Sequence, residues 1–129
     1  MGPTDAHNRV SGLVMDGALA VHRTLGPGLL ESVYEQCLAI ELRERGLTVE
    51  RQVSLPLDYK GHMFDGALRL DLLVADRVIV EMKAVERFLP IHEAQLQTYL
   101  KLSDRRLGLL INFNVIMLRD GVRRLVNKL

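Results

Sequence analysis

The sequence predicts an α/β (α+β) fold: a mixed central sheet flanked by helices. Three observations predict it. Apolar residues recur at helical spacing in two stretches before residue 46. Between residues 53 and 83 the pattern changes to two-residue alternation and ends in the β-branched run Val78-Ile79-Val80. A third helical pattern then precedes the continuous apolar run Leu107 to Phe113, which suits a buried strand parallel to a neighbour. The expected order is helix, helix, three strands, helix, strand and a terminal hairpin. With 129 residues, the chain fits one domain.

Each element has a local cause. Val10, Leu13, Val14, Ala18, Val21 and Leu25 line one face of a first helix. Residues 1–9 carry no such stripe and read as a frayed lead-in. Gly26-Pro27-Gly28 ends the helix, because a proline disfavours helix at the residue before it. Leu30, Val33, Tyr34, Cys37, Leu38 and Glu41 or Leu42 give a second stripe, which Gly46 closes. Val53, Leu55, Leu57 and Tyr59 alternate as a half-buried strand, and Pro56 within it points to a sheet edge. Lys60-Gly61-His62 turns the chain into Leu68, Leu70, Leu72 and Val74, expected on one face. After Ala75-Asp76-Arg77 comes a strand through Val78 to Lys83. Pro90 suits the first turn of a third helix running to about Leu102. Asp120-Gly121 reads as a hairpin turn between two short final strands.

Composition narrows the function. Apolar residues make up 48% and charged residues 26%, with a formal net charge of +1. A strongly basic balance, which alone would point to nucleic acid, is absent, although a local basic face is compatible with it. The single cysteine, Cys37, cannot form an internal disulfide and suits a reducing, cytoplasmic setting. No apolar run approaches the roughly 18 residues of a membrane span. The first residues lack the apolar core of a secretory signal.

The unusual feature is the placement of charge. Glu81 and Lys83 interrupt an apolar strand, and residues two apart on a strand share a face. Asp71 likewise interrupts Leu70, Leu72 and Leu73. Charges in such surroundings are costly unless paired or holding an ion. Two carboxylates beside a lysine make a hard oxygen site suited to Mg²⁺ or Mn²⁺, and the chemistry suggested is metal-assisted phosphodiester hydrolysis. Convergence has a strict condition. Cross-strand partners share a face, so Asp71 must stand opposite Glu81, with Val74 opposite Val78 and Ala75-Asp76-Arg77 as a three-residue loop. A two-residue Asp76-Arg77 turn would put Glu81 opposite Leu72 and send Asp71 to the far face, unless a bulge restored the geometry.

Asp71 followed about ten residues later by Glu81-Met82-Lys83 resembles the D…(D/E)xK signature of the PD-(D/E)XK nuclease superfamily. Gly28-Leu29-Leu30-Glu31-Ser32-Val33-Tyr34 resembles the motif that names its GxxExxY family. Gln95-Leu96-Gln97-Thr98-Tyr99 is similar to the QxxxY element on the helix after the lysine strand, and Asn112-Phe113-Asn114 also looks like the family. The resemblance runs from about residue 10 to the C-terminus. It departs from the superfamily name at Leu70, where proline would stand. The resemblance implies an αβββαβ core. It also implies metal ligation by Asp71, Glu81 and the backbone carbonyl of Met82, with Glu31 contributing directly or through water. Lys83 would be the catalytic cation, and Gln95, Tyr34 and Tyr99 would support the site. The implied partner is DNA or RNA. So short a chain would grip a full duplex with the help of a homodimer or another partner.

Plainer readings stand beside these. Glu81 and Lys83 can be an ion pair on a solvated strand face, Asp71 a partner of Arg69, and Glu31 an acid favoured by the positive end of its helix. Tyr34 and Tyr99 can be core aromatics, and Gln95 a surface glutamine. His92-Glu93 begins a zinc HExxH pattern, but Leu96 stands where its second histidine is required. Arg105, Arg106, Arg119, Arg123, Arg124 and Lys128 are candidate phosphate contacts or ordinary solvated charges. At the level of function, a non-cleaving module binding nucleic acid or protein competes with the nuclease. A hydrolase of a smaller phosphate ester is a third reading, favoured by a closed pocket over an open groove.

Overall fold

The structure, a computed structural model, describes residues 2–127. Helix α1 spans Asp5–Leu25 and α2 spans Glu31–Glu44. Strands β1 (Val49–Tyr59), β2 (His62–Val74) and β3 (Val78–Lys83) follow, then α3 (Pro90–Ser103), β4 (Leu107–Asn112) and β5 (Val122–Val126). The class expected from the sequence is the one observed: the described residues form a five-stranded sheet in the order β1-β2-β3-β4-β5, covered by three helices. The pairs are antiparallel except β3 and β4, which run parallel and are joined across the sheet by α3. Among the described residues, no helix is long and apolar enough to cross a membrane.

Three features differ from the sequence expectation. The lead-in read for residues 1–9 is helical from Asp5. Thr4 starts α1, with its hydroxyl and its backbone N–H both bonded to His7 Nδ1, at 2.7 and 3.1 Å. A local cap of this kind leaves no trace in apolar periodicity. The first two strands are longer than their apolar stretches, because residues 54–69 form a mostly exposed two-stranded ribbon beyond the rest of the sheet. Among the described residues, the terminal hairpin is absent. Asp120-Gly121 belongs to a 3₁₀ turn, Leu118–Gly121, and β5 pairs back on β4. Gly121 is needed there because a Cβ would collide with the backbone oxygen of Asn112. Pro56 fits the edge it predicts, sitting on β1 where the register shifts between Leu55 and Leu57.

Two cores flank the sheet. Val14, Ala18, Tyr34, Leu38 and Leu42 from α1 and α2 pack on Leu72, Val74, Val80 and Met82. On the other face, Leu96 and Leu100 of α3 pack on Leu70, Leu73, Ile79 and Leu110. Leu70 is therefore not on the face of Leu72 and Val74, as simple alternation expects. The phase changes at Asp71, which stands between Leu70 and Leu72.

The β2–β3 connection meets the condition for convergence. Val74 pairs with Val78, Leu73 with Ile79 and Leu72 with Val80. Ala75, Asp76 and Arg77 form the loop, with Ala75 and Asp76 at φ 52° and 54° and Arg77 N–H donating to Val74 O at 3.0 Å. Continuing that register places Asp71 opposite Glu81.

Candidate active site

The two acids grip each other's strands. The Asp71 backbone N–H donates to Glu81 Oε1 at 3.3 Å, and the Met82 N–H donates to Asp71 Oδ2 at 2.9 Å. Both carboxyl groups thus lie at the β2–β3 seam just past the last ladder pair. Glu81 is buried, 5% exposed, while Asp71 is half-buried. Burial, and then the hydrogen-bonded and repelling Asp71 carboxylate, push the Glu81 carboxyl up to about 9, against weaker opposing effects of the Asp71 N–H and the Lys83 ammonium. At neutral pH Glu81 therefore holds a proton when no cation is beside it. Both causes of the rise are ones a divalent cation offsets.

Lys83 ends β3, two residues after Glu81, and is half-buried. The chain beyond it is tied to the end of β4. Lys83 O accepts the Phe113 N–H at 3.0 Å. The buried Asn112 carboxamide accepts the Val85 N–H and the Asn114 N–H, each at 3.1 Å, and donates to Val85 O at 2.8 Å. Asn112 thereby fixes the exit from the lysine strand. In a sheet of this kind, the carboxyl ends of the parallel strands are where ligands generally bind.

The other expected residues fall into different roles. Tyr34 is fully buried and stacks on Phe113, with ring centres 4.6 Å apart. Its hydroxyl accepts the Leu29 N–H at 3.0 Å and donates to Gly26 O at 2.6 Å, closing the loop between α1 and α2. Glycines at φ 71° and 101°, Gly26 and Gly28, give that loop its shape. Glu31 is exposed in the first turn of α2. Gln95 and Tyr99 meet at 3.5 Å on α3. Among the described residues, no hydrogen bond links Glu31, Gln95 or Tyr99 to Asp71, Glu81 or Lys83.

Two residues that the motifs did not single out lie behind Asp71: Gln52 touches it, and Glu35 holds Gln52. Glu35, one turn beyond Glu31, is buried at 5% exposure. Its Oε2 accepts Arg51 Nε and Nη2 at 3.2 and 3.0 Å, and its Oε1 accepts the Gln52 carboxamide. The same carboxamide reaches Asp71 Oδ1 at 3.5 Å. The available signal was the four-residue spacing, which puts Glu35 on the face of Glu31. Gln52 had no signal short of the strand register.

The basic residues are partly occupied. Arg105 pairs with Asp76 at 2.7 Å, Arg124 donates to Asn8 at 2.8 Å, and Arg123 lies over the Phe88 ring, 5.1 Å from its centre. Lys128 lies outside the described residues. The cleft between α1 and α2 is lined by Val21, Cys37, Ile40 and Glu41, and a groove elsewhere by Leu19, His22, Ile116 and Met117. Neither includes the acids.

The groups brought together at the seam are the carboxyls of Asp71 and Glu81. Among the described residues, no three His, Cys, Asp or Glu side chains cluster to hold a metal. A hard ion that keeps several waters and takes only one or two protein carboxylates fits such a set, and a caged structural ion does not.

A family model of the PD-(D/E)XK nuclease superfamily matches residues 8–125. The crystal structure of SSO0001 is similar in fold, with a TM-score of 0.56 and 19% identity. That likeness covers 96% of this chain, which spans 63% of the length of the other. No curated protein matches the chain.

Proposed function

The chain belongs to the PD-(D/E)XK nuclease superfamily, and on that premise we propose that it is a Mg²⁺- or Mn²⁺-dependent nuclease hydrolysing phosphodiester bonds of DNA or RNA. The observation that carries the proposal is the mutual hold of Asp71 and Glu81, each hydrogen-bonded to the backbone of the other's strand, with Lys83 two residues on. Asp71, Glu81 and the Met82 carbonyl would hold the ion. A bound divalent ion makes its water more acidic and offsets charge developing on the phosphate. Glu81 must give up its proton to serve as a ligand, and Asp71 is already placed to share the charge that remains. Lys83 supplies a fixed cation for charge that grows as the phosphoryl group is attacked. Asn112 keeps the lysine strand from drifting.

We place the chain in the GxxExxY group on the segment Gly28 to Tyr34. Within it, Tyr34 acts by closing the loop that starts α2, and Glu31 acts through water. Gln95 and Tyr99 line the approach from α3. The half-open position of Asp71 suits an extended substrate better than a small enclosed ester.

The test is cleavage of single- and double-stranded DNA and RNA by purified protein with Mg²⁺ or Mn²⁺, against the same reactions in EDTA. Cleavage that EDTA abolishes and that Asp71→Ala and Glu81→Ala lose is expected. No cleavage of any of the four substrates, with nucleic-acid binding intact, would turn the assignment to a binding module.

A further inference from the structure

Asp71 is where the face alternation of β2 changes, and the residue across from it is Gln52. The flanking ladder pairs are Arg51 with Leu72 and Val53 with Leu70. Gln52 has φ 52°, a left-handed conformation that a non-glycine residue adopts against its own preference. Such an irregularity in a strand pair re-aims side chains. Leu70 lies in the core under α3, while Leu72 lies in the core under α1 and α2.

The Gln52 side chain has a specific use. Its amide nitrogen carries two hydrogens, and two carboxylates lie within its reach. One is Glu35 Oε1 and the other is Asp71 Oδ1, at 3.5 Å. Glu35 is itself anchored, buried in α2 and paired with Arg51 at 3.0 Å. Asp71 Oδ2 is already held by the Met82 N–H. Each Asp71 oxygen therefore takes one protein donor and keeps lone pairs free for an ion.

We propose that Gln52 is a positioning residue for the site: its carboxamide ties Asp71 to the buried Glu35 of α2 and so sets the orientation in which Asp71 faces the metal. This rests on the reading that Asp71 is a metal ligand. Partners behind a ligand typically change metal affinity or activity by about 10–100-fold when removed, and that is the size expected here.

The experiment is Mn²⁺ titration by calorimetry, with thermal melting of the same samples, on wild type, Gln52→Gly, Gln52→Met and Asp71→Ala. Glycine accepts the left-handed backbone, which offsets part of the cost of leaving Glu35 Oε1 without its donor, so Gln52→Gly should still unfold cooperatively while binding Mn²⁺ about 10-fold more weakly. Gln52→Met keeps length without donors and should lose similar affinity. A further readout needs no variant of Gln52. The side-chain ¹⁵Nε2 resonance of Gln52 should shift when Mg²⁺ is added to wild type, and should move in Asp71→Ala. Wild-type Mn²⁺ affinity in both Gln52 variants, with affinity lost in Asp71→Ala, overturns this role and leaves the metal site standing. Wild-type affinity in Asp71→Ala overturns both. A Gln52 resonance indifferent to Mg²⁺ and to Asp71→Ala also overturns the role.

Discussion

A buried acid with a raised pKa makes stability depend on pH in a direction opposite to that of a salt-bridged carboxylate. Glu81 goes from an ordinary value of 4.5 to about 9, because burial and then Asp71 disfavour its charged form. Between those two values the folded chain holds a proton that the unfolded chain has released. Stability is thus fully present below the unfolded value and falls as pH rises towards the folded one. One such proton is worth about 1.4 kcal/mol per pH unit. For a chain of this size that is a fall in melting temperature of roughly 4–8 °C per unit. Glu81→Gln removes the proton and keeps the acceptor for the Asp71 N–H. The assay is thermal melting of both proteins without divalent ions, between about pH 6 and 8. Wild type should lose stability with pH relative to Glu81→Gln, and the two curves should diverge steadily. Parallel curves would mean that Glu81 is ionised in the fold, and the account of its burial would be wrong.

Further outcomes follow from the same geometry. Because Glu81 must shed a proton to bind an ion, Mn²⁺ affinity should rise up to about tenfold per pH unit below 9, and titration in buffers of different ionisation enthalpy should show close to one proton released. Asp71→Ala should lose Mn²⁺ binding, whereas Glu31→Gln should change it far less; equal losses, measured by calorimetry, would bring Glu31 into the ligand set. Tyr34→Phe leaves the Gly26 carbonyl and the Leu29 N–H without their partner, at a cost of about 1–3 kcal/mol, readable by denaturant unfolding as a lower midpoint.

Much of this architecture was legible because its causes are local. Glycine and proline between α1 and α2, the β-branched run of β3 and the proline opening α3 all act within a few residues, and each element stands where they place it. The β2–β3 register was legible for a different reason: two acids that share a site constrain the loop length between them. What was not legible depends on contacts across the fold. Gln52 becomes visible only when β1 is laid against β2, and Glu35 only when α2 is laid on Arg51 and Gln52. The first turn of α1 was missed because a polar cap sets it, and the last turn because Gly121 answers to the backbone of Asn112 rather than to a hairpin.

Lys83 gives the most direct test of the central claim that this seam of acids and one lysine is a metal-dependent nuclease centre. If the lysine acts on charge that grows during the reaction, its loss lowers rate far more than affinity. Single-turnover cleavage by Lys83→Ala, at saturating Mn²⁺ and protein, should be slower than wild type by a factor of about 10²–10³, with Mn²⁺ and nucleic-acid binding kept. Lys83→Arg should fall short of wild type, since a planar guanidinium does not replace a compact ammonium. Cleavage at the wild-type rate in Lys83→Ala would contradict the account.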